Sequence, residues 1–120
     1  HQSRFTLKKI IMKIPCVCID AKNKPYEIPD SKWLIENQEY HITHVYKQLQ
    51  QNGIKGVEIA EHDISECVPF NCYRLDRFAF KPENISKLIE LMNQCTELDK
   101  IDIQKLVEKL TTIEIGVTKP

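Results

Sequence analysis

The chain has 120 residues, 42% hydrophobic and 28% charged, a balance that excludes intrinsic disorder and suits one small domain or a small domain with an appendage. Seventeen Lys and Arg offset seventeen Asp and Glu, which removes the basic excess that duplex-binding domains use to displace counterions. No apolar run approaches the roughly 18–20 residues that cross a bilayer. Five cysteines are an odd number and cannot all pair within one chain. Cys16 and Cys18 lie in an apolar segment and Cys95 ends a helical pattern, so free, packed thiols in a reducing cytoplasm are expected.

Residues 1–13 read as an N-terminal extension, with Met12 a candidate native start. Lys8 and Lys9 before Ile10-Ile11-Met12 imitate a secretory signal, but Lys13 and Pro15 interrupt it and no small-residue cleavage site follows. Ile14 to Ile19 is apolar on both parities and predicts a strand buried on two sides, with Pro15 at its start. Asp20–Ser31 carries Asn23, Pro25, Pro29 and Asp30 and predicts a polar loop. Trp33-Leu34-Ile35 is a second apolar patch before the turn Glu36-Asn37-Gln38-Glu39.

Tyr40 to Leu49 predicts the longest strand. Tyr40 and Ile42 share one parity and Val45 has the other, so a bulge or a strong twist near Thr43-His44 would reconcile them. Asn52-Gly53 signals a tight hairpin turn, and Gly56–Glu61 returns as a strand. His62–Cys72 is irregular. Cys72–Phe78 predicts a helical turn leading into a short strand, Phe78-Ala79-Phe80. Alternation places Val17, Ile19, Ile42, Val57, Ile59 and Phe78 together in the core.

Beyond Pro82 the period changes. Ile85, Leu88, Ile89 and Met92 fall at helical spacing behind Pro82 and Glu83. Ile103, Leu106, Val107 and Leu110 repeat that spacing behind the caps Asp99 and Asp102. Cys95–Lys100 joins them, so a helical hairpin is expected over 82–111, with a tail over 112–120 in which Ile113–Gly116 is a stray strand or ordered end. The apolar stripes need cover from each other, from the sheet, or across a homodimer axis.

The succession Val17-Cys18-Ile19-Asp20, Asn37-Gln38-Glu39 before Tyr40-x-Ile42, Gly56-Val57-Glu58-Ile59 and Tyr73-Arg74-Leu75-Asp76-Arg77-Phe78 resembles a known class. It is similar to the small SH3-like β-barrel domains encoded by bacteria and their phages, including proteins of Bacteroides-type genomes. The resemblance covers about residues 14–80, within a barrel unit expected over 14–81. It implies an α+β chain with an antiparallel barrel ahead of the helices, and a binding or scaffolding module. It supplies no catalytic residues.

Chemistry-bearing groups are few. Cys16-x-Cys18 with Cys67 and Cys72 offers four thiolates, and His41, His44 and His62 are alternates. The spacing lacks the turn-borne pairs of structural zinc sites, so free thiols and no metal or cofactor are expected. His41 and His44 would diverge on a regular strand and are read as surface groups. Cys72 beside His62 or His44 lacks an orienting third group for nucleophilic work. With three glycines there is no phosphate-cradling loop and no nucleophile elbow. No enzyme is expected.

The densest polar cluster is Tyr73, Arg74, Asp76 and Arg77. As a rim it would grip an anion through arginine forks; as a turn, Asp76 would satisfy backbone donors and one arginine. The turn is the favoured reading. Trp33, Tyr26, Tyr40, Tyr46 and Phe70 can line a groove for an extended peptide, but a barrel this small needs several of them for its own core, and packing is the favoured reading of Trp33. The candidate binding surface is therefore Tyr73, Arg74, Asp76, Arg77, Trp33 and Tyr46, on a non-enzymatic protein-interaction module. The alternative is nucleic-acid binding through Lys8, Lys9, Lys13, Lys22, Lys24 and Lys32, which concentrate positive charge near the N-terminus.

Overall fold

A computed structural model of the chain describes residues 12–46, 56–68, 70–95 and 98–112. Strands β1 (Ile14–Cys18), β2 (Glu39–Tyr46), β3 (Gly56–Ile59), β4 (Tyr73–Arg74) and β5 (Phe78–Phe80) precede helices α1 (Pro82–Gln94) and α2 (Lys100–Lys109), and β6 (Thr111–Thr112) follows. Single 3-10 turns occur at Asp30–Lys32 and Leu75–Arg77. The architecture is α+β, a six-stranded sheet in the order β4-β3-β2-β1-β5-β6 with two helices. Every pairing is antiparallel except β5 with β6.

The expected barrel does not close. Among the described residues no ladder joins β4 to β5 or β6, and the sheet stays open. The Leu75–Arg77 turn stands where a β4–β5 ladder would form, and β5 gives its outer edge to β6. The sheet is nevertheless strongly curved. Across a flat sheet β4 and β5 would lie about 19 Å apart at the usual spacing, yet only the three residues of a 3-10 turn connect them. Strand β6 begins at Thr111; Ile113–Gly116 and the Asn52-Gly53 turn lie outside the described residues. Tyr73–Arg74 pairs with Gly56-Val57 as a strand that two residues of sequence cannot announce.

The buried side chains form one cluster drawn from every strand from β1 to β5 and from both helices. Within β1 the inward residues are Ile14, Cys16 and Cys18, which pack in register with Ile42 and Tyr40. Val17 is only half-buried and Ile19 is 39% exposed, so the expected core set is corrected at these two positions. Both parities are apolar here, so composition cannot choose between them; pairing with β2 does. Ile42, Val57, Ile59 and Phe78 are buried as expected. The β2–β3 register slips between Ile42 and His44, and this bulge returns Val45 to the inner face opposite Val57.

Pro82 occupies the first turn of α1, where its missing N–H costs nothing. Leu88, Leu91 and Met92 are its deepest residues, while Ile85 and Ile89 sit half-buried at the margin. Asp99 and Asp102 close a reciprocal cap on α2, whose Ile103 and Leu106 are buried. The apolar stripes thus find cover in the same core as the strands, and burial alone no longer calls for a homodimer.

Candidate functional site

The longest connection among the described residues runs over 19–38, between β1 and β2. It holds only the single 3-10 turn Asp30–Lys32, and connections this long and irregular are usually functional or disordered; this one is tied down by side chains from four places in the chain. Arg77 donates through Nη1 to the Asp20 carbonyl at 2.9 Å and to Asp20 Oδ1 at 3.3 Å. Trp33 Nε1 donates to the Ala21 carbonyl at 2.7 Å. Tyr73 donates its hydroxyl to the Lys32 carbonyl at 2.6 Å, and Ile35 N–H donates to the Tyr40 hydroxyl at 2.8 Å. Asn37 takes a left-handed conformation (φ 74°), and its N–H donates to the Cys18 carbonyl at 2.7 Å, closing the base.

Arg77 is placed for this by the 3-10 turn before β5, which directs its side chain inward at 6% exposure. Its guanidinium lies 4.9 Å from the centre of the Trp33 ring, and that ring sits 5.9 Å from Tyr73. Burial works against the arginine's positive charge, and the nearby Asp20 carboxylate offsets part of that penalty. The Asp20 carboxyl is held below its ordinary range by the Lys22 N–H first and by Arg77 second. Desolvation likewise pushes the Tyr73 phenol up, so its hydroxyl remains a donor.

Three of the six candidate surface residues, Trp33, Tyr73 and Arg77, therefore come together, with their polar atoms turned onto the loop. Arg74 and Asp76 form an exposed ion pair at 3.0 Å within the adjacent turn. Tyr46 stands apart on β2. It stacks edge-on against His44 at 4.6 Å, bonds through its hydroxyl to Glu58, and lies across from the bare Gly56 of β3. The loop's outward groups are Tyr26, 93% exposed, and Ile35, 59% exposed. By sequence alone Tyr26 is one aromatic among several and Ile35 belongs to an undivided apolar patch. The legible signal was an aromatic between Pro25 and Pro29 in a loop too polar to bury it.

The thiols do not converge. Cys16 and Cys18 face inward and burial raises both, while Cys72 is pushed up to about 11 by burial with a further push from Glu58. Cys67 lies near Tyr73 instead. Among the described residues no group of three or more His, Cys, Asp or Glu could hold a metal ion. The thiol that meets a histidine is Cys95, with Sγ 3.8 Å from His44 Nδ1, and not Cys72; His62 instead lies against the Tyr40 ring. Of the N-terminal lysines, Lys24 donates to carbonyls within its own loop and Lys32 donates to the Asp63 carbonyl at 2.9 Å; Lys8 and Lys9 lie outside the described residues.

His41 diverges from His44 and pins the end of β3. Its backbone N–H donates to Glu61 Oε1 at 3.0 Å and its Nδ1 lies 2.6 Å from Oε2. Burial resists ionisation of Glu61, but the bonds from His41 outweigh it and hold the carboxyl below its ordinary value of 4.5. A depressed carboxyl means that the unfolded chain binds the extra proton in acid, so the contribution is present above the unfolded pKa and disappears as pH falls through the folded one. Glu61→Gln is therefore expected to lower the urea midpoint near neutrality and to match the parent chain in acid. A difference that does not change with pH would refute this.

No family model, curated protein or solved structure matches the chain. No helix among the described residues is long and apolar enough to cross a membrane.

Proposed function

We propose that the chain is a non-enzymatic protein-interaction module that binds an extended peptide on the loop over 19–38, with Tyr26 and Ile35 as its apolar anchors. One observation carries the reading: a long loop held by Arg77, Trp33, Tyr73 and Tyr40 presents Tyr26 almost wholly to solvent. Holding a loop in place before binding reduces the ordering cost of association, and a rigid tyrosine offers large contact area for little lost entropy. The curled run β4-β3-β2-β1-β5, with a 3-10 turn linking its two ends, supports an SH3-like reading of the sheet. The helical pair α1 and α2 then serves to complete the core beneath it. Nucleic-acid binding has less support, because Lys24 and Lys32 direct their ammonium groups to carbonyls of the chain itself.

The test is panning of a displayed peptide library on the full chain, followed by calorimetric titration of the selected peptides. Tyr26→Ala and Ile35→Ser are each expected to weaken binding about tenfold, roughly 1.4 kcal/mol, without moving the melting temperature. Peptides that bind equally well to both variants, or a failure to select any, would reject the reading. So would tight, steeply salt-dependent binding of an oligonucleotide.

A further inference from the structure

The four side-chain ties reach the loop only at Asp20, Ala21, Lys32 and Ile35, which flank its tip. Between Ala21 and Lys32 the chain must be held by something else. Ile28 is buried at 1% exposure and its N–H donates to the Pro25 carbonyl at 3.2 Å, closing a four-residue turn with Tyr26 and Glu27 at its centre. Pro25 and Pro29 stiffen the backbone at its two ends, but neither they nor the buried Ile28 side chain joins the carbonyls at those ends to each other.

Lys24 supplies the missing constraint. Its Nζ lies 2.7 Å from the Ile28 carbonyl and 3.3 Å from the Pro25 carbonyl, so a single ammonium spans both ends of the turn. The Asp30 carboxylate, itself exposed, adds an ion-pair contact at 3.5 Å. An ammonium has three donors and no acceptor, so it can serve both carbonyls at once. The side chain is 28% exposed, so these contacts are partly shielded from competing water.

From this we infer that Lys24 is a positioning residue: it fixes the Pro25–Ile28 turn and thereby aims Tyr26 outward. The inference rests on the interaction reading above for its consequence, but its structural content can be read separately. Lys24→Met keeps most of the stem's volume and removes all three donors. In the full chain it is expected to leave the melting temperature unchanged and to lower the heteronuclear NOE at Tyr26 and Glu27. A turn that populates its binding-competent geometry only part of the time weakens apparent affinity by that fraction, so a selected peptide should bind about tenfold more weakly. Because the lysine acts through the tyrosine, Lys24→Met should add little to Tyr26→Ala in the double variant.

Unchanged NOE values in Lys24→Met would overturn the inference while leaving the interaction reading intact. Fully additive losses in the double variant would overturn it too, since they mark a direct contact with the peptide. If panning yields no peptide, the interaction reading falls, and the NOE at Tyr26 still decides the role of Lys24.

Discussion

Replacing Arg77 with methionine is expected to lower the unfolding free energy by about 2–3 kcal/mol and to release the start of the loop over 19–38. Methionine approximates the apolar stem and can still lie on Trp33, so packing survives. The donors to the Asp20 carbonyl and carboxylate do not. Removing one partner from a buried pair is costly because the other is left without compensation. Here the Asp20 carboxylate is 39% exposed and can turn to water, which places the effect below that of a fully buried pair. The carbonyl has less freedom, because Ile19 N–H also ties the preceding residue to the Arg77 carbonyl at 2.8 Å. Urea denaturation followed by the emission of Trp33, the single tryptophan, reports both effects: a lower midpoint and a red shift of the folded-state spectrum. A loss below about 0.5 kcal/mol, the range of neutral surface changes, would show that the arginine does not hold the loop.

A chain ending at Lys81 is expected not to fold cooperatively. Leu88, Leu91 and Met92 of α1 and Ile103 and Leu106 of α2 are buried in the same cluster as the strand residues. Each large aliphatic side chain contributes about 1.5–3 kcal/mol on burial, so losing these five removes about 7.5–15 kcal/mol, a range that is itself an upper bound because the unfolded chain already buries part of this surface. That matches the whole stability of an ordinary domain, about 5–15 kcal/mol. Truncation also uncovers the inner strands. β5 is buried at all three of its residues, and it would expose apolar surface and an edge prone to pairing with other chains. Thermal melting by circular dichroism, with light scattering, checks this; a sharp transition in a monomeric truncated chain would contradict it. The same experiment separates the helices' role in completing the fold from any role in assembly.

Local chemistry was well marked in the sequence wherever one residue's covalent structure dictates the backbone. Pro82 opens α1, Asp99 and Asp102 cap α2, and the turn before Phe78 leads into β5. The parity conflict between Ile42 and Val45 pointed to a bulge or a strong twist near Thr43-His44, because side chains alternate along a strand, and the register slips there as a bulge. The order of the strands beyond the hairpin pairing, the open edge of the sheet and the parallel β5–β6 contact carried no such signal. They depend on residues far apart in the chain.

The candidate site divides along the same line. Tyr73, Arg77 and Trp33 were identifiable as unusual side chains, but an arginine fork serves an external anion or an internal carbonyl equally well by type. Tertiary structure decided for the carbonyl of Asp20, 57 residues away in sequence. It also chose Ile14, Cys16 and Cys18 over Val17 and Ile19 for the core, since in an apolar run both faces satisfy hydrophobicity and only the register against Tyr40 and Ile42 breaks the tie. By itself the sequence determined the strand-then-helix order, the helix caps, a break in the alternation of β2 and the absence of an intrachain partner for at least one thiol. Each follows from local sterics, periodicity or parity. Which residues face inward, which loop is held, and which tyrosine remains in solvent were decided only when distant elements packed, because those outcomes belong to pairs of residues and not to either member alone.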